Sequence, residues 1–255
     1  MRFYFSESEF IDTQEPIDLS IPIRDHSKGV RAWYLDFPKF DAVMENGFVG
    51  SVVKGGAVNF RNIQFNPHGH GTHTESFGHI TPNEYPVSNC FAKYFFRATL
   101  ISVLPEVLPN GDRVITRKLL EEKSIPHETE ALVVRTLPNE KDKCEFNYSD
   151  TNPIYFDVDC MSVLSSREIA HLLVDIPSVD RESDNGVLAF HHAFWNVPAN
   201  PAKHKTITEL IFAHSDILDG EYILELQVSN FENDAAPSRP VLYKIKKEGR
   251  PSFLS

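Results

Sequence analysis

The sequence predicts a mixed α/β fold, of the α+β kind, in one domain over residues 1–255. Apolar segments of strand length recur along the chain, whereas only two segments carry helix signals, which indicates a mixed sheet with helices on its flank. The 19 Phe and 17 Pro favour strands and loops over a helical bundle. The 255 residues suffice for one large core, and no internal repeat or Gly/Ser linker divides them.

The first half of the chain is predicted to contain short strands. Residues 3–5 and 17–23 give β-like segments that proline and acidic turn residues separate. Residues 49–60 carry β-branched and apolar positions on both sides of a glycine pair, which predicts a strand, a glycine turn and a second strand. Residues 95–104 form a continuous apolar run, which is typical of a buried strand.

The second half is predicted to contain both helices and five strands. The clearest helix covers residues 116–123. A second helix is predicted over residues 165–174, because Ser165 and Glu168 have the spacing of a capping box. Apolar or alternating segments predict strands over residues 131–135, 154–158, 174–180, 221–228 and 241–245.

Composition and charge limit the functional classes. A net charge of −11 makes nucleic acid a poor partner, because phosphate binding needs a basic surface. The three cysteines form no CxxC pair, which favours reduced thiols over a disulfide framework. The first residues do not resemble a secretory signal, and no apolar run has the length of a membrane span. We therefore expect a cytoplasmic protein with a small-molecule substrate and no membrane or nucleic-acid partner.

Residues 68–79, HGHGTHTESFGH, hold four of the eleven histidines together with a glutamate and three glycines. Imidazole and carboxylate together suit zinc, manganese or iron(II). The glycines disfavour a long helix, and in an extended chain residues two apart share a face. His73 and Glu75 then point the same way. His68 and His70 also share a face, and a bend at an intervening glycine can bring one or both to His73.

Two further candidate ligand positions lie far along the chain. His191 and His192 follow an apolar run, and Glu209 stands between Ile207 and Leu210. An unpaired carboxylate costs free energy to bury, and a metal ion would remove that cost. Alternatively, Glu209 faces solvent on an alternating strand.

The histidine segment resembles the motif HxGTHxDxPxH of the cyclase-like, metal-dependent kynurenine formamidase family. Further segments resemble other elements of this family in matching order. These segments are residues 18–20 (DLS), 174–180 (VDIPSVD), 219–222 (DGEY) and 237–240 (PSRP). The resemblance covers roughly residues 15–245. It implies the swivelling β/β/α fold of that family and assembly as a homodimer or homotetramer.

The resemblance also implies a role for individual residues. His73 would bind metal, Glu75 would replace a bridging aspartate, and His79 would be the general acid/base. His191 would bind a second metal ion, with His192 as the alternative, and Glu209 would be shared between the metals. The position of the motif's first histidine is Gly69 here, so either His68 takes that role after a one-residue insertion or His70 takes it directly. Trp33 and Phe77 would border the substrate.

The function predicted from these residues is metal-dependent hydrolysis of a small amide, N-formyl compound, ester or lactone. One or two divalent ions, zinc or manganese, would activate water, and His79 would transfer protons. Glu75 is one methylene longer than the family's aspartate, and the motif proline is absent, so kynurenine specificity does not follow. The alternatives are a cupin-type iron or manganese oxygenase, suggested by His68-x-His70 with Glu75, and a non-catalytic metabolite-binding member of the fold.

Overall fold

The computed structural model describes residues 1–248, and these form nineteen strands and three α-helices. The last seven positions of the predicted domain, 249–255, lie outside the described residues. In chain order the strands are β1 (Arg2–Tyr4), β2 (Glu9–Asp12), β3 (Ile17–Asp18), β4 (Lys39–Ala42), β5 (Met44–Glu45), β6 (Phe48–Val49), β7 (Arg61–Gln64), β8 (His73–Glu75), β9 (Phe95–Val103), β10 (Glu106–Val107), β11 (Arg113–Ile115), β12 (Ala131–Thr136), β13 (Tyr155–Phe156), β14 (His171–Val174), β15 (Thr206–Glu209), β16 (Gly220–Glu225), β17 (Ala235–Pro237), β18 (Val241–Lys244) and β19 (Lys246–Lys247). The helices are α1 (Arg117–Glu121), α2 (Met161–Ser166) and α3 (Ala189–Trp195).

A nine-stranded mixed sheet organises the molecule, in the order β17-β8-β15-β14-β12-β9-β16-β18-β3. The four central strands β15, β14, β12 and β9 run parallel to one another. Their neighbours β8 and β16 are antiparallel to them. Parallel strands need crossover connections, and α1, α2 and α3 lie in those connections. This arrangement confirms the predicted mixed α+β class.

Both faces of the central strands are covered by apolar side chains. Leu132 and Val134 of β12 belong to a core shared with the three helices. The alternate residues Ala131 and Val133 face a second core on the other side of the sheet. Side chains of the strands β9, β14, β16 and β18 form much of this core. All six residues of β12 are buried, as expected for a parallel strand covered on both sides.

The predicted helix over residues 165–174 is wrong. Ser165 lies in the last turn of α2, where its carbonyl oxygen accepts a hydrogen bond from the backbone N–H of Glu168 at 3.1 Å. Glu168 has a left-handed backbone with φ +54 and ends the helical turn. The apolar run that follows is strand β14, parallel to β12. The Ser165 and Glu168 pair therefore marks a helix end and not a beginning.

Other predicted boundaries also change. Residues 49–60 do not form two strands around a glycine turn, because Val52–Lys54 is a 3₁₀ turn that ends at Gly55 with φ +90, and the next strand begins at Arg61. Residues 175–180 form a loop beyond β14, and the strand predicted over 154–158 shortens to β13. The strands predicted over 95–104, 131–135, 221–228 and 241–245 and the helix over 116–123 are present with small shifts.

An extended segment, residues 39–64, lies outside both cores. We call it the arm. It contains β4 paired antiparallel with β7 and β5 paired with β6. No side chain of the arm belongs to any hydrophobic core that the described residues form.

The three cysteines are unpaired. Among the described residues no helix is both long and apolar enough to cross a membrane. The cytoplasmic location expected from the sequence stays a prediction.

Candidate metal centre

Strand β8 places His73 and Glu75 on one face of the sheet, because side chains two apart in a strand point the same way. Gly71, with φ +128, allows the backbone turn that leads into the strand. Strand β15 runs antiparallel beside it, and Glu209 pairs directly with His73. Directly paired residues share a face, so the register brings three ligand-type side chains together.

His73, Glu75 and Glu209 form the first candidate ligand group. They are buried, and each offers one ligand atom such that all three atoms lie within 4.8 Å of one another. Nε2 of His73 is 3.4 Å from Oε2 of Glu209. Nδ1 of His73 donates a hydrogen bond to the carbonyl oxygen of Gly71 at 3.1 Å. This bond fixes the tautomer and turns the Nε2 lone pair toward the carboxylates.

His68, Glu75 and His79 form a second group, whose ligand atoms also lie within 4.8 Å of one another, with His68 half-buried and His79 exposed. Nδ1 of His68 lies 3.0 Å from Oε2 of Glu75, and Nε2 of His79 lies 4.0 Å from that oxygen. The two imidazole rings stack with centroids 4.1 Å apart. Glu75 belongs to both groups.

His191, on helix α3, approaches the other oxygen of Glu75. Its Nε2 is 3.1 Å from Oε1 of Glu75, and its Nδ1 is 2.6 Å from Oδ2 of Asp180. Asp180 also accepts hydrogen bonds from the backbone N–H groups of Phe190 and His191 at 2.8 and 3.0 Å. Asp180 therefore holds both the first turn of α3 and the imidazole that the helix presents.

Asp234 is a site residue that the sequence analysis did not identify. Its Oδ2 lies 2.9 Å from Nε2 of His68 and 3.4 Å from Nδ1 of His79. It stands immediately before β17, which pairs with β8 and so carries Asp234 to the cluster. No local signal distinguishes it from other acidic loop residues, because only the pairing of β17 with β8 brings it to the histidines.

Three predicted site residues lie away from the cluster. His70 accepts a hydrogen bond at Nδ1 from the backbone N–H of Asn66 and donates from Nε2 to the carbonyl oxygen of Asp36, both at 2.8 Å. This leaves no ring nitrogen of His70 for a metal ion. Nδ1 of His192 donates to the carbonyl oxygen of Val197 at 3.2 Å, outside the ligand groups. Phe77, predicted at the substrate, packs in the helix-covered core.

A cavity of about 340 Å³ opens beside the cluster. Its lining includes the site residues His68, His79, His191 and Glu209 and, around them, Trp33, Leu35, Asn66, Ser178 and Leu188. Trp33, which the sequence predicts to border the substrate, is thus one of the lining residues. The volume suits a small organic molecule, and the mixture of apolar walls with a few polar groups is typical of ligand sites.

The backbone around this cavity is strained. Trp33 and Leu188 have positive φ values of 60 and 45, and Leu210, directly after Glu209, has φ 54. Such conformations cost about 1–3 kcal/mol each for a residue with a side chain and cluster at functional sites.

Comparison with known families decides what kind of protein this is. The family model described as "Putative cyclase" matches residues 17–181, more than half of the chain. The chain belongs to this cyclase family. The match includes His68, His73, Glu75 and His79, whereas Glu209 and Asp234 lie beyond it. No curated protein sequence matches the chain.

Solved structures share the fold of this cyclase-family chain. A potential metal-dependent hydrolase with cyclase activity is 17% identical, with TM-score 0.59, over 90% of this chain and 97% of that one. An isatin hydrolase bound to the product analogue thioisatinate is 14% identical, with TM-score 0.64, over 91% and 93%. Isatin hydrolase A from Ralstonia solanacearum is 14% identical, with TM-score 0.64, over 90% and 91%.

The donor atoms of this cyclase-family protein fit a divalent cation. Among the described residues, two buried side-chain polar atoms make no hydrogen bond of good geometry: Nε2 of His73, 3.4 Å from Oε2 of Glu209, and Oε2 of Glu75, 3.0 Å from Nδ1 of His68. Burying such an atom without a partner costs about 1–3 kcal/mol. A cation bound between them would satisfy both, and imidazole with carboxylate is the donor set of zinc and manganese.

The charges of the cluster also favour a bound cation. Burial alone would lower the pKa of His68, but the neighbouring carboxylates of Asp234 and Glu75 outweigh it and raise the pKa to about 10. The same opposition raises the pKa of His191 to about 10, with Asp180 and Glu75 as partners. Burial would raise the pKa of Glu75, yet the imidazole charges around it hold that pKa well below its usual range. A cation would therefore compete with protons for the same nitrogen atoms.

Proposed function

We propose that this cyclase-family protein is a metal-dependent hydrolase of small molecules that contain an amide, N-formyl, ester or lactone group. The observation that carries the proposal is a pair of buried ligand atoms without hydrogen bonds, His73 Nε2 and Glu75 Oε2, beside an organic-sized cavity that their neighbours His68, His79, His191 and Glu209 line. In a histidine cluster with a purely structural role, buried polar atoms such as these are normally hydrogen-bonded.

The ligands that we propose follow from the two groups. His73, Glu75 and Glu209 would hold one ion, and His68 with Glu75 would contribute to a second. His191 contributes through its Nε2. Zinc or manganese suits this mixture of nitrogen and oxygen donors.

His79 is the residue that we assign to proton transfer. When bound, a divalent ion supplies acidification of a water molecule and polarisation of the substrate carbonyl. His79 lines the cavity, its side chain is 33% exposed, and Asp234 lies 3.4 Å from its Nδ1. From this place it would accept the proton of the attacking water. The C–N or C–O bond of the substrate then breaks, and His79 would return the proton to the leaving nitrogen or oxygen.

The cavity walls favour a substrate with a flat apolar part. Trp33, Leu35 and Leu188 supply the apolar surface, and the ligand groups lie among them. Two proteins of similar fold are isatin hydrolases, which supports an aromatic cyclic amide as one class to test beside aromatic formamides.

The test joins metal analysis to a substrate panel. The purified protein would be analysed for bound metals and then assayed with aromatic formamides, cyclic amides, esters and lactones, with and without added zinc or manganese. We expect hydrolysis of at least one class that depends on metal and is lost in Glu209→Gln. Metal-loaded protein that hydrolyses none of the four classes would contradict the hydrolase proposal.

The two alternatives fare differently. The cupin-type oxygenase is wrong, because that ligand set requires His70, whose ring nitrogens both bind backbone atoms, and because the chain has the cyclase-family fold. The non-catalytic alternative makes a distinct prediction in the same experiment. A purified protein that binds neither zinc nor manganese would favour the non-catalytic alternative.

A further inference from the structure

A second cavity, of about 280 Å³, lies beyond the carboxyl ends of the parallel strands β12 and β14. Thr136, the last residue of β12, and Asp175, directly after β14, both line it. Ligands of α/β sheets commonly bind beyond the carboxyl ends of the strands. No residue that lines this cavity also lines the metal-site cavity, so the two are separate. Apolar side chains contribute to its wall, among them Leu137, Phe146, Ile154 and Ile176.

The two least exposed charges of this cavity neutralise each other. The side chain of Asp175 is fully buried, and its Oδ2 lies 2.8 Å from Nζ of Lys143. The backbone N–H and the hydroxyl of Thr136 each donate a hydrogen bond to the same carboxylate at 2.9 Å. Lys143 also donates to the carbonyl oxygen of Thr136 at 2.7 Å. These three residues therefore satisfy one another and do not call for a ligand.

Two other donors of the cavity wall have no partner. Tyr148 is only 9% exposed, yet within residues 1–248 its hydroxyl makes no hydrogen bond, whereas buried phenols usually find a partner. The guanidinium of Arg113, an exposed lining residue, likewise makes no hydrogen bond or ion pair with any described residue. Burial raises the pKa of Tyr148 and the charge of Arg113 opposes that rise, which indicates that the guanidinium lies near the phenol.

We propose that the cavity beyond β12 and β14 is a second ligand site, which binds a small organic carboxylate with an apolar body. The Tyr148 hydroxyl and the Arg113 guanidinium donate to the carboxylate oxygens, and charge-assisted bonds of this kind are the strong ones. The apolar wall covers the body of the ligand. Glu140 and Asp142 also line the cavity but are exposed, so water and salt screen them. Their charges disfavour a doubly charged anion such as phosphate.

The wall that carries Tyr148 is bonded to the segment that carries Trp33. The backbone N–H of Arg31 donates to the carbonyl oxygen of Phe146 at 3.1 Å, and that of Tyr148 donates to the carbonyl oxygen of Arg31 at 2.8 Å. Trp33 also packs against the apolar cluster to which Tyr148 belongs. A ligand held by Tyr148 therefore restrains residues 31–34, and Trp33 among them lines the metal-site cavity.

The test measures the binding of benzoate to the full-length protein by titration calorimetry, with benzamide as an uncharged ligand of similar shape. Benzoate should bind, and benzamide should bind roughly 10-fold more weakly. Arg113→Gln removes the charge and Tyr148→Phe removes only the hydroxyl, so each should raise the dissociation constant of benzoate roughly 10-fold. Arg61→Gln, at an exposed position on the arm, is the matched control and should bind benzoate as the wild type does.

A second comparison distinguishes this site from the metal centre, where a carboxylate could also bind. Glu209→Gln, which removes a proposed metal ligand, should leave the dissociation constant of benzoate unchanged. Benzoate should slow hydrogen exchange in residues 31–34 and 146–151 of the wild type and not in Arg113→Gln.

Three results would overturn the proposal. The first is a wild type that binds benzoate no better than benzamide. The second is an equal loss of binding in Arg113→Gln and Arg61→Gln, which would reflect general attraction to positive charge. The third is binding that is lost in Glu209→Gln and kept in Arg113→Gln, which would place benzoate at the metal centre.

Discussion

Glu75 is the residue on which the proposed centre depends most. Its carboxylate is buried and faces three histidines, His68 and His79 at one oxygen and His191 at the other. The extra methylene relative to the family's aspartate extends the carboxylate further from β8.

The roles of His79 and Glu209 are separable by variants. We expect His79→Ala to retain its metal content and to lose turnover by about 10²–10⁴-fold, because it removes proton transfer. Glu209→Gln should lose metal, because it removes an anionic ligand from a buried group. Elemental analysis beside turnover measures both. Loss of one metal equivalent in His79→Ala would make His79 a ligand, as its place beside His68 and Glu75 also permits.

Asp234 should act through the imidazoles that it contacts. Asp234→Asn keeps the shape but removes the charge that orients His68 and His79, and we expect metal affinity or activity to fall roughly 10–100-fold. Competition with a chelator measures the affinity separately from turnover. Glu232→Gln, an exposed carboxylate two residues away, is the control. Equal effects in the two variants would refute a specific role for Asp234.

At the scale of elements, the site follows from the register of three neighbouring strands. The pairing of Glu209 with His73 and of Pro237 with that same residue unites β15, β8 and β17. The alternation of His73 and Glu75 could be predicted from the sequence, because strand periodicity is local. The place of Asp234 in the site could not be predicted, because it depends on the order of the strands in the sheet, which local sequence does not determine.

Sequence-based prediction was also wrong or undecided where one sequence pattern is compatible with two local structures. The Ser165 and Glu168 spacing fits a helix start, yet the buried parallel strand that follows required the chain to leave the helix there. His68 and His70 could not be distinguished in sequence either. The structure separates them because the backbone of Asp36 and Asn66 occupies the ring of His70.

Strand β14 begins with a histidine that should make stability depend on pH. Burial lowers the pKa of His171 to about 3, and the ring stacks against Phe91 and lies 4.1 Å from Phe96. The unfolded chain takes up this proton near pH 6.5 but the folded chain does not, so the free energy of unfolding should fall as pH decreases from about 6.5 toward 3.

Urea unfolding across this pH range measures the effect. His171→Gln keeps a partner for Thr206 and should reduce the slope by up to about 1.4 kcal/mol per pH unit, the value for one proton. His127→Gln, at an exposed position, should leave the slope unchanged. An unaltered slope in His171→Gln would show that His171 does not account for the acid sensitivity.

For the whole molecule, metal binding should be coupled to folding. The proposed ligands come from a loop, from β8, from α3 and from β15, so the site exists only in the folded chain. A metal present at a hundredfold excess over its dissociation constant adds about 2.7 kcal/mol of stability. For a chain of this size that corresponds to a shift of roughly 5–10 °C in Tm.

Calorimetry with and without a chelator checks this prediction. The wild type should lose thermal stability when the metal is removed. Glu209→Gln, which lacks a ligand, should unfold at one temperature in both conditions. A chelator that shifts the two proteins equally would indicate a metal effect away from this centre.

The sheet order has a consequence for biosynthesis. Strand β8 is flanked by β15 and β17, both of which are made more than a hundred residues after it, and β3 pairs with β18 near the other end of the chain. On the ribosome, the segment that carries His73 and Glu75 must wait without strand partners until residue 209 has emerged, and its second partner follows with residue 237. The proposed ligands can then be assembled only after Glu209 has been made, and a chain that stops before β15 would leave them unassembled.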